Sequence, residues 1–180
     1  MPRLSIARRN ARIVACAALW FAFTSAHAAD VVRLPLMHDN KFPIARAVEV
    51  PAGTTLVFHS GVTPSAKDPN AAAGTPAYWG DTKTQALSVF ANMKESLDSL
   101  GLGFGDIIKM TVFLVADPAA ADQRMDFKGF MEAYTQFFGT PEQPNLPARS
   151  AVQVAGLAAP GMLVEIEVIL AKPVKSRNAK

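Results

Sequence analysis

Residues 147–170 read PARSAVQVAGLAAPGMLVEIEVIL, and this stretch decides the fold. Two apolar runs with many β-branched residues flank a segment rich in Gly and Pro, a pattern that predicts two strands joined by a turn. Arg149, Glu165 and Glu167 lie inside the predicted strands. A buried charge without a partner is strongly unfavourable, so each of these side chains requires an ion partner, water or a ligand.

Three further strands and a loop are predicted before this stretch. Residues 31–37, 46–50 and 54–61 carry the apolar and β-branched residues of strands. Residues 62–80 are rich in Pro, Ala and Gly and predict a long surface loop, with Trp79 folded back onto the domain.

Two helices are predicted on either side of a strand at residues 106–116. Asp81 is a favourable N-cap for the first helix, and Gly101 ends it. The second helix ends at Gly139 and has one broad apolar face, which is more typical of a core than of a cofactor site. That face consists of Phe127, Phe130, Met131, Tyr134, Phe137 and Phe138. The order β-β-β-α-β-α-β-β predicts an α+β fold with two helices on one face of a mixed sheet.

The last predicted strand leaves the other face of that sheet without cover. Successive side chains point to opposite faces of a strand. One set consists of Met162, Val164, Ile166, Val168 and Leu170, and the other of Leu163, Glu165, Glu167 and Ile169. Both sets contain large apolar residues, although the two helices cover one face only. We therefore expect self-association to bury the second face, where Glu165 and Glu167 lie about 7 Å apart and Glu165 is a candidate base.

Four segments carry a resemblance to a known family. They are GDIIKMTVFL at 105–114, YTQFFG at 134–139, PARSAVQVAGL at 147–157 and LVEIEVIL at 163–170. In this order and spacing they resemble the Rid/YjgF family of reactive-intermediate (enamine/imine) deaminases, over roughly residues 45–172. The resemblance implies a chorismate-mutase-like fold and a homotrimer with ligand clefts between neighbouring subunits.

The resemblance also assigns roles to individual residues. It implies that Arg149 binds the substrate carboxylate, for which the planar guanidinium fork is well suited. Glu165 would place or activate the attacking water, while Ser60 and Gly61 would line the same cleft. The implied reaction is hydrolysis of a small 2-imino acid to a 2-keto acid and ammonia. Because an imine carbon is already electrophilic, no metal or organic cofactor is implied.

The chain departs from the family pattern near the implied cleft. FPIAR at residues 42–46 stands where many members have Gly-Pro-Tyr-Ser-Gln. Ile44 thereby replaces a tyrosine whose hydroxyl holds the catalytic water, and Met131 replaces an asparagine of many relatives. These changes indicate a more apolar pocket and leave room for a different ligand, although Arg149 still favours a carboxylate.

Three functions remain open from the sequence. The first is an imine/enamine deaminase without a cofactor, and the second is a non-catalytic trimer that binds a small carboxylate in the same cleft. The third is a protein-interaction module. In a purely structural alternative, Arg149 pairs with Glu165 or Glu167 across strands or subunits, and Glu167 is neutralised by Lys109.

Residues 1–28 have the pattern of a secretory signal peptide. Arginines precede an apolar run at residues 13–23, and an Ala-His-Ala sequence favours cleavage after Ala28. That run is about half the length of a membrane span. We therefore expect one domain at residues 29–172 and a basic tail at 173–180, in a periplasmic or secreted protein with no membrane contact after cleavage.

Charge and cysteine content narrow the function classes. Without the four signal arginines, 14 basic residues face 15 acidic ones, so the expected mature chain has a net charge of about −1. A basic surface for nucleic acids is therefore not expected. The single cysteine, Cys16, lies in the predicted signal, and His38 and His59 are isolated. Disulfides, a cysteine nucleophile and a metal site are accordingly not expected.

Overall fold

The computed structural model describes residues 30–172. The predicted signal peptide and basic tail lie outside the described residues. The elements are β1 (Val32–Leu34), β2 (Ala47–Glu49), β3 (Thr55–Val62), α1 (Pro76–Trp79), α2 (Thr82–Ser99), β4 (Ile107–Val115), α3 (Phe127–Tyr134), β5 (Ala148–Val154) and β6 (Val164–Lys172). The short helix α1 lies inside the predicted loop, and a 3-10 turn at Phe104–Asp106 precedes β4. The predicted order of strands and long helices is confirmed, and the fold is α+β.

The six strands form two sheets. β1 and β2 pair antiparallel, and the main sheet has the order β3-β6-β4-β5. β3 and β4 are antiparallel to β6, whereas β5 is parallel to β4. The main sheet is therefore mixed, as predicted. The separate sheet of β1 and β2 is not evident from the sequence, because strands of three residues carry too short a pattern to define a partner.

Local chemistry explains the bounds of α2. The Asp81 carboxylate accepts a hydrogen bond from the Thr84 backbone N–H at 2.8 Å and caps the first turn. Gly101 follows the helix with φ +67°, a left-handed conformation that glycine adopts without steric cost. Within residues 30–172, neither α2 nor any other helix combines the length and apolar character needed to cross a membrane.

The third helix is shorter than predicted. Asp126 caps α3 by accepting a hydrogen bond from the Gly129 N–H at 2.8 Å. The α-helix ends at Tyr134, whereas the prediction extended it to Gly139. Beyond Tyr134 the chain continues in tighter turns, in which the Phe137 N–H donates to the Tyr134 carbonyl. The aromatic periodicity continues through such turns, so the sequence pattern overestimates the helix length.

The hydrophobic core lies between the two long helices and one face of the main sheet. α2 packs against β6 and β3, and α3 packs against α2. Phe90, Phe130, Tyr134 and Phe138 are at most 1% exposed. The rings of Tyr134 and Phe138 stack with 4.7 Å between centroids. Most of the aromatic face of α3 is therefore core, as predicted.

The second face of the main sheet, which we call the open face, has no cover within the described chain. Glu165 and Glu167 of β6 point to it, opposite the buried residues Val164, Ile166, Val168 and Leu170. Phe58 on β3 is 74% exposed there, and Leu56 and Val152 are also exposed. The alternation predicted for β6 is confirmed within the strand, and an apolar surface is available for association.

Two contacts anchor the loop before α2 and the start of β6. The Trp79 indole Nε1 donates to the Pro160 carbonyl at 2.9 Å, so the predicted return of this side chain onto the domain is confirmed. Gly161 has φ +82°, and a Cβ atom there would overlap Trp79. Leu163 was predicted on the open face, but it precedes β6 and is buried in the core. The alternation of a strand does not extend beyond its ends.

Arg33 joins the small sheet to the main one. Its Nη1 donates to the carbonyls of Ile107 and Leu146 at 2.8 and 2.9 Å, and Nη2 donates to that of Gly105 at 2.7 Å. Burial lowers the pKa of Arg33, while the charge of Asp106 acts in the opposite direction. This side chain fixes the segment that leads into β5, and thereby the position of the residues at the start of that strand.

Candidate functional site

Arg149 lies on the helix side of the main sheet. It pairs in register with Met110 of β4, whose side chain is fully buried. Directly paired residues of neighbouring strands share a face, so the Arg149 side chain points to the helix side and away from the open face. Because β5 is an edge strand, this arginine stands at the border of the core.

Four aromatic rings surround the Arg149 guanidinium. Its Cζ atom lies 4.1 Å from the ring centroid of Tyr134 and 5.3 Å from that of Phe130. The corresponding distances are 5.4 Å to Phe42 and 5.9 Å to Phe127. All four are within the range of cation–π attraction. We call Arg149 and these four rings the arginine cage.

The arginine cage contains no anion from the described chain. Among residues 30–172, ion pairs within 4.0 Å join Lys83 to Glu132 and Lys94 to Asp98, and neither involves Arg149. Its neighbours cannot replace a carboxylate, because the aromatic rings accept hydrogen bonds poorly. A guanidinium has five N–H donors that lose their hydration on burial.

The two terminal nitrogens of Arg149 have different surroundings. Nη2 donates to the Met131 sulfur Sδ at 3.2 Å, and a thioether is a weak acceptor. Nη1 is buried and has no hydrogen-bond partner among residues 30–172. The guanidinium is therefore held in place with most of its hydrogen-bonding capacity unused.

Burial also changes the proton equilibria inside the cage. Loss of hydration lowers the pKa of Arg149, and the adjacent Tyr134 acts in the opposite direction. Burial raises the pKa of Tyr134 to about 12, against the opposing effect of the Arg149 charge. The Tyr134 hydroxyl donates to the Pro43 carbonyl at 2.8 Å. Tyr134 is therefore neutral at ordinary pH and does not supply the missing anion.

Ile44 lies beside the arginine cage. The Ala45 N–H donates to the Pro147 carbonyl at 3.0 Å, and Ala45 forms a parallel bridge with Ala148 at the start of β5. This pairing brings the segment that contains Ile44 next to Arg149. Ile44 and Phe42 both line a cavity of about 390 Å³. Phe42 thus contributes to the cavity and to the cage.

Ser60 and Gly61 form a bulge in β3. The pairing register with β6 shifts between His59 and Val62, which leaves the two residues out of the regular ladder. The His59 Nδ1 donates to the Ser60 carbonyl at 2.8 Å, so this segment is held locally. Bulges re-aim neighbouring groups and are common next to active sites.

Glu165 lies against this bulge on the open face. It pairs with Phe113 of β4, whose side chain points to the same face. A Cβ atom on Gly61 would overlap the Glu165 carboxylate, so the carboxylate rests on the bare backbone of that glycine. The structure therefore brings three predicted site residues, Ser60, Gly61 and Glu165, together.

Arg149 and Glu165 do not meet within one chain. They lie on opposite faces of the sheet and two strands apart, which is about 10 Å across the strands. The predicted ion pair across strands is therefore wrong for the single chain, and a pair between subunits stays a prediction. Lys109 donates to the Ser150 hydroxyl at 3.0 Å, and the described chain contains no ion pair between Lys109 and Glu167.

Two residues of the arginine cage, Tyr134 and Phe42, are not evident from the sequence as site residues. Tyr134 belongs to the aromatic face that was assigned to the core, and its contact with Arg149 depends on how β5 lies beside α3. No sequence signal points to Phe42. It reaches the cage because Ala45 pairs with Ala148, which places residues 42–46 alongside the start of β5. Among residues 30–172, no group of three His, Cys, Asp or Glu side chains is arranged to hold a metal ion.

Comparison with known proteins identifies the family. Residues 36–172 match the model of the family described as endoribonuclease L-PSP. The chain is 37% identical over 115 residues to the putative reactive intermediate deaminase TdcF of Escherichia coli K12, covering 64% of this chain and 78% of that one. It is 35% identical over 115 residues, with the same coverage, to the 2-iminobutanoate/2-iminopropanoate deaminase of Salmonella typhimurium.

A solved structure agrees with this match. The crystal structure of Escherichia coli TdcF with bound serine is 32% identical to this chain, with a TM-score of 0.51, and the alignment covers 74% of this chain and 91% of that one. The family match spans the main sheet, both long helices and all five predicted site residues. The chain therefore belongs to the endoribonuclease L-PSP family, the same Rid/YjgF family that its four sequence segments resemble.

Proposed function

We propose that this protein is a deaminase that hydrolyses 2-imino acids to 2-keto acids and ammonia without a cofactor. The arginine cage is the observation that carries the proposal. It holds a buried cation whose Nη1 has no partner in the described chain, and a substrate carboxylate would supply both the charge and the acceptors. The name of the Salmonella relative, which specifies two 2-imino acids, supports this substrate class.

We propose that Glu165 completes the site from a second copy of the chain. Because Arg149 and Glu165 are on opposite faces of one sheet, a single small substrate cannot contact both within one subunit. The exposed apolar side chains of the open face, Phe58, Leu56 and Val152, support burial against another copy. A homotrimer, as the family resemblance implies, would create three equivalent clefts, each with one Arg149 and one Glu165.

The proposed chemistry uses positioning and proton transfer. Arg149 holds the carboxylate, which fixes the imine carbon. Water adds to this carbon as Glu165 accepts one of its protons, and Glu165 passes that proton to the imine nitrogen to give a carbinolamine. Glu165 then accepts the hydroxyl proton and passes it to the amino group, so that the carbon–nitrogen bond breaks, ammonia leaves and the carbonyl forms. An enamine enters the same sequence after it tautomerises to the imine.

We propose a small-molecule substrate in preference to RNA. Residues 30–172 contain 11 basic and 15 acidic residues, and this balance gives little attraction for a phosphate backbone. We also propose export through the signal sequence, which N-terminal sequencing of the protein recovered from the periplasm would test.

Ile44 favours a second candidate function. The family resemblance places a water-holding tyrosine at this position, whereas isoleucine has no hydroxyl. The cleft would then bind a carboxylate, such as a 2-keto acid, without turnover. Both candidates require Arg149, but only the first requires Glu165 as a base.

A coupled assay tests the proposed activity. An amino-acid oxidase generates 2-imino acids in the presence of semicarbazide, and loss of the semicarbazone reports hydrolysis by the added protein. We expect wild type to accelerate hydrolysis and Arg149→Ala to lose at least about 100-fold in kcat/KM, since a charge-assisted bidentate contact is removed. Arg124→Ala, which changes an exposed loop arginine, is the matched control. Hydrolysis that is unchanged by Arg149→Ala would overturn the proposal.

A further inference from the structure

The Met131 sulfur lies directly against the guanidinium to which a carboxylate would bind. Its Sδ accepts a hydrogen bond from Arg149 Nη2 at 3.2 Å, and Nη1 is buried. Nη2 carries a second N–H donor, so a carboxylate that engages both nitrogens lies directly beside the Met131 sulfur or takes its place. An unbranched thioether with three rotatable bonds adjusts easily and can pack on the incoming molecule. In both arrangements Met131 is part of the wall that contacts the substrate.

The cavity next to the cage is mostly apolar. Ile44 and Phe42 line this cavity of about 390 Å³ together with Leu36 and Leu146, and its polar lining residues are Arg33, Asn40, Lys41 and Asn145. The Arg33 guanidinium is already engaged by three backbone carbonyls. The volume lies in the range of small-molecule sites. Phe42 is 38% exposed and forms the boundary between this cavity and the Arg149 guanidinium. Arg149 and Met131 do not line the cavity, so the side chain of a ligand anchored at Arg149 would enter it past Phe42, on the side where Ile44 lies.

We propose that this site selects 2-imino acids with a bulky apolar side chain, and that Met131 and Ile44 determine this selectivity. The proposal rests on the proposed deaminase function and extends it to a substrate class. A short side chain would leave the cavity beside Phe42 unfilled, and a charged one would lose hydration against Ile44 and Met131. The Salmonella relative, in contrast, is named for the three- and four-carbon 2-imino acids.

Kinetics on a substrate panel test the selectivity. The coupled assay is run with imines generated from alanine, leucine, phenylalanine and glutamate, on wild type, Met131→Asn, Ile44→Tyr and the control Leu100→Asn. Leu100 is an exposed apolar residue at the end of α2. We expect wild type to favour the leucine-derived over the alanine-derived imine by at least about 10-fold in kcat/KM, as apolar pockets discriminate by size. Met131→Asn and Ile44→Tyr should each reduce this ratio about 10-fold, and the control should not change it.

Binding of the products separates this inference from the activity. Calorimetry measures the Kd of 2-oxopropanoate and 4-methyl-2-oxopentanoate for wild type, and we expect the larger acid to bind at least about 10-fold more tightly. Selective binding without hydrolysis would overturn the deaminase function and support the selectivity. Hydrolysis that is fastest for the alanine- or glutamate-derived imine, or a ratio unaffected by Met131→Asn and Ile44→Tyr, would overturn the selectivity and leave the deaminase function standing. Absence of both hydrolysis and binding would overturn both.

Discussion

The carboxylate of Glu165 rests on the backbone of Gly61, at a position where any Cβ atom would overlap it. Gly61 lies in the bulge of β3, so its missing side chain creates the space in which the carboxylate is held. In the proposed mechanism this carboxylate accepts a proton from water. The glycine therefore acts by positioning Glu165.

Gly61→Ala should impair catalysis with little effect on the fold. The added methyl group displaces the end of the Glu165 side chain, and a displacement of about 1 Å at a catalytic group costs on the order of 100-fold in rate. Because the displaced atoms are at a flexible end, the free energy of unfolding should change by less than about 1 kcal/mol. Steady-state kinetics and urea denaturation measure the two effects.

The matched control for this substitution is Gly103→Ala, because a Cβ atom there meets nothing within 4 Å and the backbone φ is ordinary. Equal rates for Gly61→Ala and Gly103→Ala would show that the position of Glu165 is not critical.

Two inactive variants should restore activity to each other if the site lies between copies. In a mixed assembly of Arg149→Ala and Glu165→Ala, some clefts join the intact arginine of one subunit to the intact glutamate of another. Random mixing in a cyclic trimer makes about a quarter of the clefts complete. Every trimer that contains both variants has one complete cleft of three, so we expect co-expressed mixtures that are tag-selected for both variants to show about a third of wild-type kcat, whereas each variant alone remains inactive. No recovery in assemblies shown by mass spectrometry to be mixed would rule out the two-subunit site.

Phe58→Asp should disrupt self-association. This side chain is 74% exposed on the open face, and a carboxylate in its place would be buried without a partner on association. Sedimentation velocity should show the monomer for Phe58→Asp and a trimer for wild type. Leu100→Asp, which changes an exposed apolar residue away from the open face, should remain a trimer. If Phe58→Asp also remains a trimer, the subunits associate through a different surface.

Arg33→Ala should destabilise the fold. The substitution removes three hydrogen bonds to the carbonyls of Gly105, Ile107 and Leu146. Leaving such carbonyls without donors should lower the free energy of unfolding by on the order of 2–4 kcal/mol, with water reducing the loss at this half-buried site. Urea denaturation measures this change. Arg46→Ala, at an exposed residue before β2, is the control, and equal stability of both variants would contradict the proposed link between the sheets.

Stability should fall at high pH because of Tyr134. Its pKa is raised from 10.0 to about 12 in the folded protein, so the unfolded chain loses this proton first as the pH rises. The contribution to stability is complete below pH 10 and is lost as the pH approaches 12, by up to about 2 kcal/mol. The free energy of unfolding between about pH 9 and pH 11.5 should therefore decrease more for wild type than for Tyr134→Phe. Identical pH dependence of the two proteins would show that this tyrosine titrates normally.

Short-range sequence patterns predict a helix or strand well where the apolar residues repeat along its whole length and a capping or turn residue marks its end. Asp81 and Gly101 mark α2 through capping and a left-handed turn. The alternation in β6 separates the buried Val164, Ile166 and Val168 from Glu165 and Glu167. The α3 helix was overestimated since aromatic spacing also suits the turns after Tyr134. The sequence predicts that Trp79 folds back onto the domain, and this is confirmed. Its hydrogen-bond partner, the Pro160 carbonyl, lies in a turn 81 residues away and is not predictable from the local sequence.

The sequence by itself determined the α+β class, the order of the main strands and helices, the family and the chemical types of the site residues, because these depend on local periodicity and short motifs. Tertiary structure decided what each site residue touches. The parallel register of β4 and β5 turns Arg149 toward α3, and the pairing of Ala45 with Ala148 brings Phe42 over it. Such contacts join residues that are far apart in the chain, so local patterns do not encode them. The separation of Arg149 from Glu165 follows from the strand order together with the register that turns the two side chains to opposite faces.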